Sequence, residues 1–157
     1  MSLILVRVDD RLIHGQVVVG WGQALGPNRI VLADDEIAAN EWEWDLYRAG
    51  VPSDLEVEFM TVADAGRRVE ELMASAARTL LLVADVQSLM RLCEAAPQIQ
   101  EVNLGGVHMD GGRARKLPYL FLSETEIGQL RALRDRGVTI TAQDLPTTPR
   151  VPIEKLI

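Results

Sequence analysis

Cysteine is almost missing from this chain: Cys93 is the only one in 157 residues. A single thiol excludes an internal disulfide and suits a reducing compartment. Cys93 sits among apolar residues of a helix-like segment and reads as core filler. Lysine is scarce too, with Lys116 and Lys155 the only two among 16 basic residues. Together with a formal net charge of −7, this argues against a nucleic-acid or anionic-membrane surface, both of which need clustered cations. Long apolar runs are absent. The longest stretch free of Asp, Glu, Lys and Arg runs from Leu12 to Asn28, and Gly15, Gln16, Gly20, Gly22, Gln23 and Pro27 interrupt it, so no membrane insertion is expected. No basic region precedes the apolar run Leu3–Val6, which stops at Arg7, so no signal peptide is read and a cytoplasmic location is expected. The length suits one domain spanning residues 1–157, and 48% hydrophobic with 25% charged residues is ordinary for a globular chain.

What is present is alternation. LILVRV (3–8), RIVLAD (29–34) and TLLLVAD (79–85) are continuous aliphatic runs, the mark of parallel strands covered on both faces. LEVEFM (55–60) alternates Leu55, Val57 and Phe59 with Glu56 and Glu58, as an edge strand does to discourage further pairing. EVNLGG (101–106), YLFLS (119–123) and VTITAQ (138–143) complete the candidate strands. Between them Val17, Val18, Trp21, Ala24 and Leu25 share one helical face, and Ala65, Val69, Leu72, Met73 and Ala76 another. A helix from about Glu36 to Ala49 stops at Gly50, with Trp42 on its core face beside Ala38 and Leu46, and Trp44 at the core rim. Ser123 and Glu126 form a capping box for a helix that ends near Gly137. The expectation is an α/β fold: an open, mostly parallel twisted sheet of about seven strands with helices on both faces.

In such a sheet ligands gather at the carboxyl ends of the strands, which directs attention to VRVDDRLIHGQVVVGW, Val6 to Trp21. The first strand ends near Val8; Asp9, Asp10, Arg11 and His14 follow, and Gly15 opens a helix. An imidazole is the natural proton or phosphoryl acceptor near neutral pH. Arg11 offers a permanently charged planar fork for phosphate oxygens, and the amides around Gly15 and Gln16 favour an anion. Asp10 is read as the hydrogen-bond partner of one His14 nitrogen, leaving the other facing the site. Arg7 lies on the strand face of Leu3 and Leu5, awkward for a cation unless it reaches the sheet's carboxyl edge, and is counted with the phosphate-binding residues. Together these residues describe a site that accepts a dianion onto a histidine. His108, in the loop Gly105 to Gly112, is read as a structural or partner-contact residue, with a place beside the same site as the alternative.

These segments resemble the IIB subunits of the mannose/fructose/sorbose-type bacterial phosphotransferase system. VRVDDRLIHGQVVVGW resembles the family's active-site segment, and RIVLADDEIAAN, VNLGGVHMDGG and RGVTITAQDLPTT extend the likeness over nearly the whole chain. The resemblance implies a cytoplasmic phosphoryl carrier, a protein-N(pi)-phosphohistidine–sugar phosphotransferase of the EIIB type. Its histidine takes a phosphoryl group from the phosphohistidine of a IIA protein. It then passes the group to a sugar bound by the membrane subunits IIC and IID, through which the carrier associates with the inner face of the membrane. On that basis His14 is the phosphorylated residue, at Nδ1, while Arg11 contacts the phosphoryl group and Asp10 is the neighbouring carboxylate. A separate IIA partner is expected, and neither metal nor cofactor.

Three other readings compete. A response-regulator receiver also carries paired acids after its first strand, but Met60-Thr61 and Gly105-Gly106 stand where its acceptor Asp and its Lys belong. A metal-dependent hydrolase would use Asp9, Asp10, His14 and His108, yet Arg11 among them would repel a cation. A regulatory module of the same fold, with a partner reading the state of His14, is not separated from sugar transport by the sequence.

Overall fold

The computed structural model describes residues 2–157. Each continuous aliphatic run forms a strand; those at Arg29–Ala33 and Thr79–Val83 are buried throughout, and Leu3–Asp9 is buried except at the half-buried Ile4 and Leu5. β1 (Leu3–Asp9) leads through a short loop into a π-helical segment, Gln16–Trp21, continued by α1 (Gly22–Leu25). β2 (Arg29–Ala33) precedes α2 (Asp35–Ala38) and α3 (Glu41–Ala49); β3 (Glu56–Met60) precedes α4 (Val62–Ala74). β4 (Thr79–Val83) and α5 (Val86–Ala95) lead to β5 (Glu101–Gly106) and then to a hairpin, β6 (Ala114–Leu117) with β7 (Leu120–Leu122). α6 (Glu124–Asp135), β8 (Thr139–Ala142), β9 (Val151–Pro152) and a 3₁₀ turn at Ile153–Lys155 close the chain.

The main sheet has seven strands in the order β3-β2-β4-β1-β5-β8-β9, parallel except for the β8–β9 pair. Val8, Val31, Leu81, Leu104 and Ile140 face α4, α5 and α6, while Ile30, Leu32, Leu80 and Leu82 face Val17, Trp21 and Ile37 on the other side. The helical segment after β1 therefore lies on one face, and the helices after its neighbours β4 and β5 lie on the opposite face. That divergence opens a crevice at the carboxyl end of β1.

β3 is an edge strand, as its alternating carboxylates imply, and Glu58 is held there by Arg29 and Arg68 at 3.4 and 3.3 Å. The capping box is present: Ser123 Oγ accepts from the Glu126 amide and Glu126 Oε1 from the Ser123 amide, and Gly137 ends the helix at φ +97°. Cys93 is buried in α5, and burial pushes its thiol up to about 11.

Four expectations need correction. The run 119–123 is not a strand of the main sheet: β7 pairs with β6, and Tyr119 and Phe121 exchange backbone bonds with Val107 just beyond β5. The seventh place belongs to β9, two residues of which one is proline, a residue tolerated only at such an edge. The helix from Glu36 to Ala49 is broken at Ala39–Asn40 into α2 and α3. The break turns Trp44 inward, where it stacks on Phe59 at 5.1 Å and its indole N–H donates to Ile37 O at 2.8 Å. Trp42 and Leu46 consequently point outward, 67% and 66% exposed, so Trp42 is not a core residue.

Candidate active site

Residues two apart on a strand share a face. Arg7 and Asp9 therefore project together at the end of β1, whereas Asp10, one residue on, serves a different neighbour. Arg7 is fully buried, 0% exposed. Its Nη1 donates to Asn103 Oδ1 (2.6 Å) and Gln143 O (2.9 Å), and its Nη2 to Asp144 O (2.9 Å) and Asp9 Oδ2 (3.1 Å). Trp21 covers the guanidinium at 5.2 Å and donates its indole N–H to the same Asp144 carbonyl at 2.9 Å. β5 makes room with Gly105: a Cβ there would stand 2.0 Å from Arg7 Cζ.

Asp9 is the hub. Its Oδ2 accepts from Arg7 Nη2, Arg11 Nη2 (3.2 Å) and His14 Nε2 (2.8 Å); its Oδ1 accepts from the Arg11 amide (3.0 Å) and Arg11 Nε (3.1 Å). Burial alone would raise this carboxyl's pKa, but hydrogen bonds from His14 and Arg11, with the charge of Arg7, outweigh it and hold Asp9 ionised well below the usual carboxylate range. A carboxylate only accepts, so His14 carries its proton on Nε2 and presents the lone pair of Nδ1. The Gln16 amide faces that lone pair at 3.3 Å.

The loop between Asp9 and His14 is pinned. Leu12 adopts φ +60°, a left-handed conformation that costs an ordinary side chain about 1–2 kcal/mol. Its amide donates to Asp9 O at 2.9 Å, and the side chains of Leu12 and Ile13 enter the core beside Val17 and Trp21. Burial of two aliphatic groups offsets that local cost.

A hollow of about 470 Å³ is lined by Asp10, Arg11, Gln16, His108 and Tyr119 among others; His14 itself is not on its wall, but its chain neighbours Arg11 and Gln16 are. Two of the hollow's residues hold buried polar atoms without a partner among the described residues, Gln16 Oε1 and the Tyr119 hydroxyl. Burial pushes Tyr119 up to about 12, so the phenol remains a neutral donor.

Of the residues expected at the site, His14, Arg11, Asp10, Gly15 and Gln16 come together at the mouth of the crevice. Two assignments change. Asp9, not Asp10, holds the His14 ring, because strand alternation aims Asp10 at His108, 2.7 Å away. Arg7 lies beneath the site with both Nη atoms engaged by Asp9, Asn103 and two carbonyls and its Nε buried without a partner among the described residues; fully buried, it braces Asp9 and has no face toward an incoming anion. The Arg7-x-Asp9 spacing is the signal that would have found this pair; Asn103, Gln143, Asp144 and Trp21 carried none in the linear sequence. Asp9, Asp10, His14 and His108 divide into two carboxylate–histidine pairs, and arginines occupy Asp9, a poor arrangement for one metal ion.

Comparison with known proteins identifies the family. The pattern of the family described as "PTS system sorbose subfamily IIB component" matches residues 3–157. The chain belongs to that family: it is a IIB component of the phosphotransferase system, a phosphotransferase. It is 27% identical over 147 residues to the fructose-specific EIIB component of Bacillus subtilis, covering 94% of this chain and 90% of that one. It is 29% identical over 157 residues to the mannose-specific EIIAB component of Escherichia coli, covering all of this chain and 49% of that longer protein. A crystal structure of an N-acetyl-galactosamine IIB component from Streptococcus pyogenes superimposes with a TM-score of 0.91 at 26% identity, covering 100% of this chain and 98% of the other. Seven mostly parallel strands flanked by helices are thus the family's fold.

Proposed function

We propose that His14 is the phosphoryl-carrying residue, that Nδ1 is the nitrogen charged, and that the group comes from the phosphohistidine of a IIA protein. It leaves for a sugar held by membrane IIC and IID subunits, with this chain docked at the cytoplasmic face during uptake. The observation that carries this reading is the 2.8 Å contact from His14 Nε2 to Asp9 Oδ2, which commits the ring to a nucleophilic Nδ1. No helix of the described residues is long and apolar enough to cross a membrane.

In the loading step the Nδ1 lone pair attacks phosphorus in line with the departing donor nitrogen, which recovers its own lone pair. Positioning and charge stabilisation do most of the work in such loose transfers. Arg11 supplies a fixed positive charge, the Gln16 amide turns from the bare ring to the phosphoryl oxygens, and the Gly15 amide joins it there. Asp9 keeps accepting from Nε2–H and steadies the positive character that phosphorylation brings to the ring. Arg7 and Asp10 do not touch the group in this scheme: Arg7 holds Asp9, and Asp10 holds His108. The hold is moderate, as a carrier requires.

Incubation with enzyme I, HPr, phosphoenolpyruvate and a cognate IIA should place one acid-labile, base-stable phosphate on the protein. His14→Ala should abolish it, and Arg11→Ala should slow loading by about 10²-fold. Undiminished labelling of His14→Ala would remove the assignment.

A further inference from the structure

We propose that His108, oriented by Asp10, is the general base that takes the acceptor hydroxyl's proton when the phosphoryl group leaves His14. The inference rests on the carrier reading of His14 and adds to it a role for the second histidine.

His108 is 69% exposed at the side chain, yet it is tied down at three points. Its amide donates to Asp10 Oδ2 at 2.7 Å, its Nδ1 donates to Asp10 Oδ1 at 2.7 Å, and its carbonyl accepts from Arg113 Nη1 at 3.2 Å. Arg113 is itself forked onto Glu126, 3.0 Å at each oxygen, and Glu126 closes the capping box of α6. An exposed side chain ordinarily gains little from such ties, since its lost rotamer freedom offsets contacts that water and salt screen strongly. Here a whole carboxylate and a helix-anchored arginine serve to fix one surface imidazole. The ring nitrogen that remains, Nε2, has no partner among the described residues. Asp10 accepts only, so Nδ1 carries the proton and Nε2 the lone pair. His108 lines the same hollow as Arg11 and Gln16. Consecutive acids thus orient two histidines in opposite senses: Asp9 frees Nδ1 of His14, and Asp10 frees Nε2 of His108.

Proton balance explains why two are needed. Loading moves phosphorus from one imidazole nitrogen to another, a lone pair for a lone pair, and no proton changes hands. Unloading is different. The P–N bond breaks and its electrons return to His14 Nδ1; a P–O bond forms; the hydroxyl O–H breaks, and its proton goes to His108 Nε2. Asp10 stabilises the resulting imidazolium, which then releases the proton to solvent. A base is required only in this second half, as in kinases, where a carboxylate receives the substrate hydroxyl proton.

The test separates the halves. Wild-type, His108→Asn and Asp10→Asn proteins are loaded from labelled phosphoenolpyruvate through enzyme I, HPr and IIA. They are then mixed with vesicles bearing mannose-type IIC and IID and with mannose, fructose, sorbose or N-acetylgalactosamine. Expected is a roughly 10²-fold slower appearance of sugar phosphate for His108→Asn, with loading changed by less than about threefold. Asp10→Asn should show the same split, and the double variant should be no slower than His108→Asn alone. Transfer at the wild-type rate, or loading and transfer falling together, overturns the proposal. If wild-type protein fails to load, the carrier reading itself falls. Loading without transfer to any of the four sugars removes the hydroxyl acceptor, and this proposal with it, while leaving His14 as the phosphorylated residue.

Discussion

Gly105→Ala is a one-carbon change that tests the brace under the site. The added methyl would stand 2.0 Å from Arg7 Cζ and 2.3 and 2.4 Å from Nη2 and Nε. Carbon contacts relax at about 3.5 Å, so one partner must retreat by roughly 1.5 Å. A free arginine tip would give way cheaply. This one is held by four hydrogen bonds of 2.6 to 3.1 Å, most of which a shift of that size carries past bonding distance. Breaking a buried charged pair on one side costs about 3–5 kcal/mol. For a domain of this length that lowers the melting temperature on the order of 10 °C. Thermal unfolding followed by circular dichroism reads the loss directly. In an Arg7→Ala background the methyl has nothing to strike, so adding Gly105→Ala should cost under about 1 kcal/mol and the pair should be strongly non-additive. A Gly105→Ala protein that melts with wild type, or a strictly additive cycle, would refute the reasoning that Arg7 acts as a pinned brace.

Two more outcomes follow from the same contacts. The folded-state pKa of Asp9 is depressed, so its stabilisation is complete above the unfolded value of about 3.9 and drains away as pH falls below it. The denaturant midpoint should therefore hold from neutrality to about pH 5 and drop steeply below pH 4, and Asp9→Asn should flatten that drop; an unchanged slope in the variant argues against it. The two tryptophans of α3 should behave oppositely: Trp44→Ala should cost about 3–5 kcal/mol by opening space over Phe59, and Trp42→Ala about 0.5 kcal/mol or less, both read by urea denaturation.

Features written in local chemistry were legible in advance. Aliphatic runs marked the buried strands, alternating glutamates marked the β3 edge, and Ser123 with Glu126 marked the start of α6. The candidate site was legible in its residue types but not in its pairings. Asp9 and Asp10 are adjacent and chemically alike. Only the exact end of β1 decides which of them lies under His14, and an element boundary is the least certain thing a linear pattern conveys. Long-range partners were silent for a related reason: Asn103, Gln143 and Asp144 meet Arg7 through β5 and the segment after β8, across more than ninety positions of chain. Trp42 misled because an unbroken helix was assumed; interrupting the winding at Asn40 exchanges which indole faces Phe59. β9 offered two residues and no periodicity at all.

The stiffness of the turn at Leu12 has a bearing on how traffic through this molecule is organised. A berth whose imidazole is fixed by a left-handed residue, two submerged aliphatics and a sheet-anchored acid does not swing between giver and receiver. Visitors must instead come to it, one replacing another over the same small opening, and turnover becomes a matter of encounter and departure. On the proposed carrier reading of His14, such a hub stays identical for every caller, so any preference among cargoes has to be written into the proteins that visit.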